Sequence, residues 1–202
     1  MLKRCIDVFL SVLVLLSLSP VLAAVALAVW IDSGSPVLFR QMRMGRAFCQ
    51  FQILKFRTMR IQCGGSLLTA SGDSRVTRVG RFLRITKLDE LPQFWNVLRG
   101  EMSVVGPRPE VPEHVKFFES RYRDILAVRP GITDLASIHF RHAEDILARS
   151  KDALSEYKER VLPMKLALAD KYLRERSVLL DLSIIVQTAI AILRPSASSQ
   201  ND

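Results

Sequence analysis

The most prominent pattern in the sequence is an uncharged apolar stretch near the N-terminus. Residues 8–31 carry no charged side chain over 24 positions, and about 20 apolar residues suffice for a membrane-embedded helix. Ser19-Pro20 lies at the centre of this stretch. Proline removes a backbone donor and kinks a helix, and a hydroxyl such as that of Ser19 can bond a carbonyl that the kink leaves free. Basic residues flank both ends: Lys3 and Arg4 before the stretch, and Arg40, Arg43 and Arg46 after it. Since basic flanks prefer the cytoplasmic side, the pattern predicts a re-entrant helical hairpin over residues 1–32, broken at Ser19-Pro20.

Two other interpretations of this stretch stay open. A signal peptide would also show a basic start, an apolar run and small residues such as Ala26 and Ala28, although the run is long for one and Asp7 is unusual at its position. A straight transmembrane span is compatible as well, because membrane helices tolerate proline. Only a measurement of topology separates the span from the hairpin.

The following residues predict an α+β catalytic domain over residues 33–195, predominantly helical with a small β-hairpin. Apolar, β-prone residues at 36–41 and 48–56 flank a turn at residues 44–46, which is typical of a hairpin. Residues 61–74 are rich in glycine and serine and predict a loop. One helix is expected from Arg78, and another from Asp89 with an apolar stripe of Leu91, Phe94, Trp95 and Leu98.

The C-terminal half predicts an extended segment followed by helices. Three prolines and a glycine exclude a helix over residues 104–112, and Arg108 stands between two of those prolines. Helices are expected over residues 112–123, 143–147 and 153–175, with a break at Pro130-Gly131, and residues 196–202 are expected to form a disordered tail. Residues 178–193 contain only one charge, and Ser177, Asp181 and Thr188 share a face of that segment. This predicts an amphipathic helix on or near a membrane, while a core helix stays open.

The net charge of +9 lies entirely in the middle of the chain. Residues 33–108 hold 13 Lys or Arg against four carboxylates, whereas the charges on either side of this segment cancel. A local excess of this kind attracts phosphates, whether those of nucleotides, lipid head groups or nucleic acids. Composition alone does not choose among these partners.

Asp89 and Glu90 are the candidate catalytic residues. A helix cap with an acidic first turn is the ordinary interpretation of such a pair. Upstream, however, cations recur every three residues: Arg75, Arg78, Arg81, Arg84 and Lys87. Two carboxylates in a cationic setting suit phosphoryl chemistry, and because neighbouring helical residues point about 100° apart, the two should have different roles. One could attack phosphorus while the other holds Mg²⁺.

Other motifs give little support to other chemistries. The three cysteines, Cys5, Cys49 and Cys63, lack the spacing of zinc sites or disulfide frameworks and are expected as reduced thiols. His114, His139 and His142 lack metal-site spacing and are expected at the surface. A Walker loop and a G-x-G-x-x-G fingerprint are both absent from the sequence.

Several strings together resemble the bacterial sugar transferase family, the monotopic phosphoglycosyl transferases. The stretch at residues 87–93 reads KLDELPQ and is followed by NVLRGEMS at 96–103 and GPRP at 106–109. Further matching stretches are FRQ at residues 39–41, KFRTM at 55–59, RPGIT at 129–133, and the N-terminal helix with Ser19-Pro20. The resemblance runs from residue 3 to about residue 190, over nearly the whole chain.

This resemblance implies a small catalytic-core enzyme, without the extra membrane-spanning domain of longer relatives. It would transfer a sugar-1-phosphate from a UDP-sugar to polyprenyl (undecaprenyl) phosphate and release UMP, the first membrane step of glycoconjugate assembly. Asp89 would be the nucleophile of a ping-pong reaction through a covalent phosphosugar intermediate, and Glu90 would help bind Mg²⁺. The re-entrant helix would place the site at the cytoplasmic face of the bacterial inner membrane.

Weaker assignments accompany the resemblance. The cations Lys55, Arg57, Arg84 and Arg108 are expected to bind substrate phosphates, with helix packing or lipid contact as the alternative. The other expected partner is the lipid bilayer; nucleic acid is not expected, and a homodimer stays open. Where many members continue with Gly-Trp after Pro-Gly-Ile-Thr, this chain has Asp134-Leu135, which puts the identity of the sugar in doubt.

Three rival functions remain at this stage. A membrane-anchored basic binding protein would have no use for the Asp89 carboxylate. A glycosyltransferase that moves the sugar alone would release UDP instead of UMP. A secreted basic protein would require cleavage near Ala28.

Overall fold

Two helices at the N-terminus meet at Ser19-Pro20. The computed structural model describes residues 2–60, 73–139 and 152–193, and within it α1 (Leu2–Ser17) and α2 (Ser19–Ser33) are bent by 64°. Pro20 has no amide hydrogen for the Leu16 carbonyl, and the Ser19 hydroxyl donates to that carbonyl at 2.8 Å. The predicted break, with its hydroxyl replacement, is confirmed.

The length and composition of α1 and α2 decide whether they could cross a membrane. In the part of the chain that the structure describes, no single helix is long and apolar enough to cross a membrane, whereas the bent pair α1 and α2 together would be. Many of their large apolar side chains are exposed, among them Phe9, Leu13, Leu16, Leu27 and Ile31.

The first part of α1 is bonded to the body of the protein. Asp7 is buried and accepts from the Val104 amide at 3.0 Å and from the Ser103 hydroxyl at 2.8 Å. Arg4 donates to the Val97 carbonyl at 2.6 Å. These bonds join the start of α1 to the body of the protein.

Two small sheets form the β structure of the described residues. Strand β1 (Leu38–Met44) pairs antiparallel with β2 (Gln50–Phe56) through a 3₁₀ turn at Arg46–Phe48, as the hairpin pattern predicts. A second sheet was not predicted: β3 (Ser103–Val105) pairs parallel with β4 (Gly131–Thr133).

The central helices differ from the prediction in one place. Helix α3 (Arg78–Thr86) begins at Arg78 as expected, with the Thr77 hydroxyl accepting from the Gly80 amide at 2.9 Å. The helix expected from Asp89 is instead a 3₁₀ turn at Leu88–Glu90 followed by α4 (Gln93–Leu98). The predicted apolar stripe is also wrong, because α4 buries Gln93, Asn96 and Val97 and leaves Trp95 52% exposed. The buried Asn96 explains this face, since it bonds the backbone of β2 at Gln52 and Leu54.

The remaining helices cover the expected segments 112–123, 153–175 and 178–193 in shorter pieces, and α7 was not expected. They are α5 (Pro112–Val115), a 3₁₀ turn at Lys116–Phe118, α6 (Glu119–Ile125), α7 (Leu135–His139), α8 (Ala153–Glu156), a π-helical turn at Tyr157–Val161, α9 (Leu162–Glu175) and α10 (Val178–Leu193). The expected helix at 143–147, the tail at 196–202 and most of the loop at 61–74 lie outside the described residues.

Helix α10 turns its polar positions inward. Asp181 accepts from Lys3 at 2.5 Å and from the Tyr172 hydroxyl at 2.8 Å, while Thr188 bonds Thr133 at 2.7 Å. Ile184 is fully buried on the same side. The opposite side is apolar and exposed, with Leu179 at 80% and Leu193 at 81% among Leu182, Val186 and Ile190. One side of α10 therefore packs in the core, with Leu180 and Ile185 beside Ile184, while its other apolar side chains are exposed.

Candidate active site

The Asp89-Glu90 pair lies on the short 3₁₀ turn between α3 and α4. Helix α3 ends at Lys87, whose left-handed backbone (φ 59°) redirects the chain into the turn. Both carboxylates are buried, with Asp89 7% and Glu90 8% exposed. The sequence placed the pair at a helix N-terminus; the structure corrects this, because α4 begins only after Pro92. The pair therefore does not cap a helix.

Glu90 is held between two cations from distant parts of the chain. Its Oε1 atom accepts from Lys55 Nζ on β2 at 2.8 Å and from Arg108 Nη2 at 2.5 Å. Within the described part of the chain, its Oε2 atom has one long contact, of 3.5 Å, with Arg108 Nη1. Two of the four predicted phosphate-binding cations thus meet at the second carboxylate of the pair.

Asp89 has the opposite environment. Among the residues that the structure describes, its Oδ1 atom is buried without a hydrogen-bond donor. An unsatisfied buried carboxylate oxygen costs free energy and is rare in structural positions. Other buried polar atoms of the described residues share this state, among them Asp32 Oδ2, but Asp89 Oδ1 is the one beside the cations Lys55 and Arg108.

The electrostatic surroundings move the two carboxyl groups in opposite directions. Burial raises the pKa of Asp89 above its ordinary value, and the charge of Lys55 opposes that rise. Burial also acts to raise the pKa of Glu90, but the charges of Arg108 and Lys55 outweigh it and hold that pKa well below its usual range. Divergent pKa values in a titratable pair indicate divided roles.

Arg108 is positioned by residues around β4. It lies between Pro107 and Pro109, and its own amide donates to Asp134 Oδ2 at 3.1 Å. Its guanidinium also contacts the Ile132 carbonyl at 3.4 Å. Asp134 was noticed in the sequence only as a departure from the family pattern, although an aspartate directly before a short helix could have suggested a helix cap.

The other two predicted phosphate-binding cations lie elsewhere. Arg84 Nε donates to the Thr58 hydroxyl at 3.0 Å. Its charge is one of those that oppose the rise in the pKa of Asp89. Arg57 is buried and directs Nη2 to the carbonyls of Ser33 and Gly34, both at 2.6 Å. Arg57 therefore closes the C-terminal end of α2, and the structure does not bring it to the dyad.

A second buried polar cluster lies beside the Arg108 segment. Glu110 accepts from the Tyr157 hydroxyl at 2.5 Å and from His114 Nδ1 at 3.1 Å. Burial acts to raise the pKa of Glu110, but these bonds and the charges of Lys165 and Arg43 lower it to about 2. His114 is buried in this cluster, so its expected surface position is wrong. The Glu110–His114 contact has a helical i,i+4 spacing that could have suggested it, whereas the contact with Tyr157 joins residues 47 positions apart and has no local signal.

The dyad offers a limited set of metal ligands. The described residues contain no cluster of three or more His, Cys, Asp or Glu side chains that could hold a metal. Mg²⁺ commonly binds through only one or two carboxylates together with substrate phosphates. The donor-free Asp89 Oδ1 and the weakly bonded Glu90 Oε2 fit that pattern.

Comparison with known proteins agrees with the motif and its geometry. The family model described as "Bacterial sugar transferase" matches residues 1–195. A UDP-glucose:undecaprenyl-phosphate glucose-1-phosphate transferase of Escherichia coli (strain K12) is 41% identical over 197 residues, covering 93% of this chain and 39% of that protein. A protein of the same name from Caulobacter vibrioides is 38% identical over 196 residues, covering 95% of this chain and 69% of that protein.

One further relative has a similar length. The exopolysaccharide production protein PSS of Rhizobium leguminosarum bv. phaseoli is 36% identical over 206 residues, covering 95% of both chains. The chain therefore spans well under half of the E. coli protein and nearly all of the Rhizobium protein. With a family model that extends over almost every residue, including the buried Asp89-Glu90 pair, this chain belongs to the bacterial sugar transferase family.

Proposed function

We propose that this protein is a phosphoglycosyl transferase that moves a sugar-1-phosphate from a UDP-sugar to undecaprenyl phosphate and releases UMP. The observation that carries the proposal is the division of the dyad: Asp89 presents an unbonded oxygen, while Glu90 binds Lys55 and Arg108. The names of the E. coli and Caulobacter relatives support the same reaction and make UDP-glucose the first donor to test.

In the first half-reaction, Asp89 attacks the β-phosphorus of the UDP-sugar. A bond forms between a carboxylate oxygen and phosphorus, and the bond from that phosphorus to the bridging oxygen breaks. UMP leaves with the bridging oxygen and the electron pair. Lys55 and Arg108 lie beside the dyad to offset the charge of the diphosphate, which is the main contribution that proteins make to phosphoryl transfer.

In the second half-reaction, a phosphate oxygen of undecaprenyl phosphate displaces Asp89 from the phosphosugar. This regenerates the carboxylate and yields a sugar diphospholipid, as a ping-pong scheme requires. A Mg²⁺ ion held by Glu90 would supply further charge neutralisation at the diphosphate. Because Glu90 keeps a low pKa, it remains an anion and cannot act as a proton donor near neutral pH.

The exposed apolar surfaces support a place at the membrane. The bent pair α1 and α2 has the length and composition of an embedded segment, and α10 presents an apolar face while its polar face is bonded inward. An undecaprenyl chain lies in the bilayer, so an enzyme using it must work at that surface. We assign the protein to the cytoplasmic face of the inner membrane, with α1 and α2 re-entrant.

The identity of the released nucleotide tests this function. The full chain in nanodiscs would be incubated with Mg²⁺, undecaprenyl phosphate and separately with UDP-glucose, UDP-galactose or UDP-N-acetylgalactosamine. We expect UMP from the wild type and from Asp124→Asn, a matched change at an exposed aspartate of α6, and none from Asp89→Asn. Without undecaprenyl phosphate, label from the sugar phosphate should remain on the wild-type protein and be absent from Asp89→Asn.

Two results would contradict the proposal. Release of UDP would mean that the sugar moves without its phosphate and that Asp89 does not attack phosphorus. Equal UMP release by Asp89→Asn would remove the nucleophile from the scheme.

A further inference from the structure

Asp134 connects two elements that meet beside the dyad. Its Oδ2 atom accepts from the Arg108 amide at 3.1 Å, and its Oδ1 atom accepts from the Ser137 amide at 2.7 Å. The second bond caps the N-terminus of α7, in the manner expected of aspartate at that position. One carboxylate therefore binds both the Arg108 segment and α7, and it does so while it is buried.

The two prolines beside Arg108 limit the backbone hydrogen bonds that this segment can make. Pro107 and Pro109 carry no amide hydrogen, so the amide of Arg108 is the only donor in the backbone of residues 107–109. That donor goes to a side chain, whereas the neighbouring backbone groups bond strand β4 directly: Gly106 donates to Thr133 at 3.1 Å and Gly131 donates to Pro107 at 3.0 Å. Asp134 thus fixes the Arg108 amide itself, while the segment on either side is held by these bonds to β4 and by Arg43 Nη1, which donates to the Pro109 carbonyl at 3.2 Å.

The guanidinium of the same residue reaches the dyad. Arg108 Nη2 lies 2.5 Å from Glu90 Oε1, and Nη1 contacts the Ile132 carbonyl at 3.4 Å. Asp134 therefore binds the main chain of Arg108, while Ile132 of β4 contacts its guanidinium. A small displacement of its main chain would move the guanidinium relative to Glu90, and misplacement by about 1 Å can cost a large part of a catalytic rate.

We infer that Asp134 is a positioning residue for the reaction proposed above: by binding the Arg108 amide, it sets the guanidinium where that group meets Glu90 and the substrate diphosphate. This inference rests on the proposed function. It also gives the departure of Asp134 from the family pattern a physical role, because glycine at this position would supply neither of the two acceptors.

Asp134→Ser separates this role from the helix cap. Serine is a good N-cap, so its hydroxyl can accept from Ser137, but it offers no second carboxylate oxygen to Arg108. The matched control is Asp152→Ser, since Asp152 accepts from the Leu154 and Ser155 amides at the start of α8. The melting temperature of full-length Asp134→Ser in nanodiscs should fall by only a few degrees, as the loss of one buried bond implies, and that of Asp152→Ser should stay close to that of the wild type.

Hydrogen–deuterium exchange measures the bond between the Arg108 amide and Asp134 without an activity assay. Because residues 107–109 contain a single amide, exchange there reports Arg108 alone. We expect this amide to exchange about tenfold faster in Asp134→Ser, as the loss of one bond to a charged group implies, and at the wild-type rate in Asp152→Ser. An unchanged exchange rate would overturn the inference.

Activity in two backgrounds tests the positioning. UMP release by Asp134→Ser should fall about tenfold in kcat/KM, whereas Asp134→Ser added to Arg108→Gln should cost less than about twofold, because the group that it positions is already gone. Equal losses in both backgrounds would indicate a purely structural role and overturn the inference, as would faster exchange with unchanged UMP release. If the wild type releases no UMP, the proposed function itself fails; an active wild type with an unaffected Asp134→Ser refutes only the inference.

Discussion

Replacement of Glu110 by glutamine should destabilise the protein more than any ordinary surface change. Glu110 is buried between the Tyr157 hydroxyl and His114, and its charge is opposed by those of Lys165 and Arg43. Glutamine keeps the shape and one acceptor oxygen but removes the negative charge. Burial lowers the pKa of Lys165 and of Arg43, and the charge of Glu110 acts against that effect in both. Without it, two buried cations lose their counter-charge.

The magnitude follows from the pKa of Glu110. Folding lowers this pKa from its ordinary 4.5 to about 2, and each tenfold change in a protonation equilibrium is about 1.4 kcal/mol, so the ionised group contributes about 3 kcal/mol to folding near neutral pH. Because the folded-state pKa is the lower one, this contribution is complete above pH 4.5 and is lost as the pH falls towards 2. Removing one partner of a buried ion pair commonly costs about 3–5 kcal/mol, in agreement.

Thermal unfolding in nanodiscs at several pH values measures this effect. At pH 7 we expect the melting temperature of Glu110→Gln to fall by about 6–12 °C, since about 2–4 °C corresponds to 1 kcal/mol in a protein of this size. The difference between wild type and variant should shrink below pH 4.5. The control is Glu113→Gln at an exposed position of α5, which should change little. A melting temperature of Glu110→Gln within 2 °C of the wild type at pH 7 would refute the reasoning.

Three further predictions concern the dyad, α2 and the second sheet. Lys55→Gln should move the acidic limb of the pH profile of UMP release to higher pH, because the Lys55 charge counters the rise that burial imposes on the pKa of Asp89; an unchanged limb would contradict this. Arg57→Gln should lower the free energy of unfolding by about 2 kcal/mol through lost bonds to α2. It should leave the KM for the UDP-sugar within about twofold, and a large rise in KM would indicate that Arg57 binds the substrate after all. Gly131→Ala should cost about 3 kcal/mol or more in a melting experiment, because the added Cβ would lie 2.1 Å from the Gly106 amide nitrogen; a variant as stable as the wild type would exclude this close approach.

Local signals in the sequence predicted the elements with local causes. Pro20 breaks the apolar helix wherever that helix lies. A hairpin forms between the two β-prone runs, with its turn at Arg46–Phe48, about two residues later than the sequence predicts. The pair Asp89-Glu90 could be identified as a candidate catalytic pair because of its cationic surroundings and its motif. Its placement on a 3₁₀ turn could not, since the left-handed Lys87 that produces the turn is not a residue type that marks such a conformation.

The elements that escaped prediction depend on contacts between distant residues. Strands β3 and β4 have three residues each, too few to show a period, and they pair across more than twenty intervening positions. The direction of Arg57 is set by where α2 ends, and a motif shows only that a cation is present. Helix α10 is apolar on most sides, so its inward face was decided by partners such as Lys3 and Thr133.

The bonds that α1 makes to the body have a consequence for protein engineering. A fragment starting after α2 would lose the Asp7 carboxylate and so leave the buried Val104 amide without its acceptor, while the Ser103 hydroxyl would keep only its bond to the Val105 carbonyl. It would also leave Asp181 without Lys3. The bent pair α1 and α2 is therefore part of the folded structure. Chimaeras that exchange this pair between relatives should fold only when its polar partners are exchanged with it.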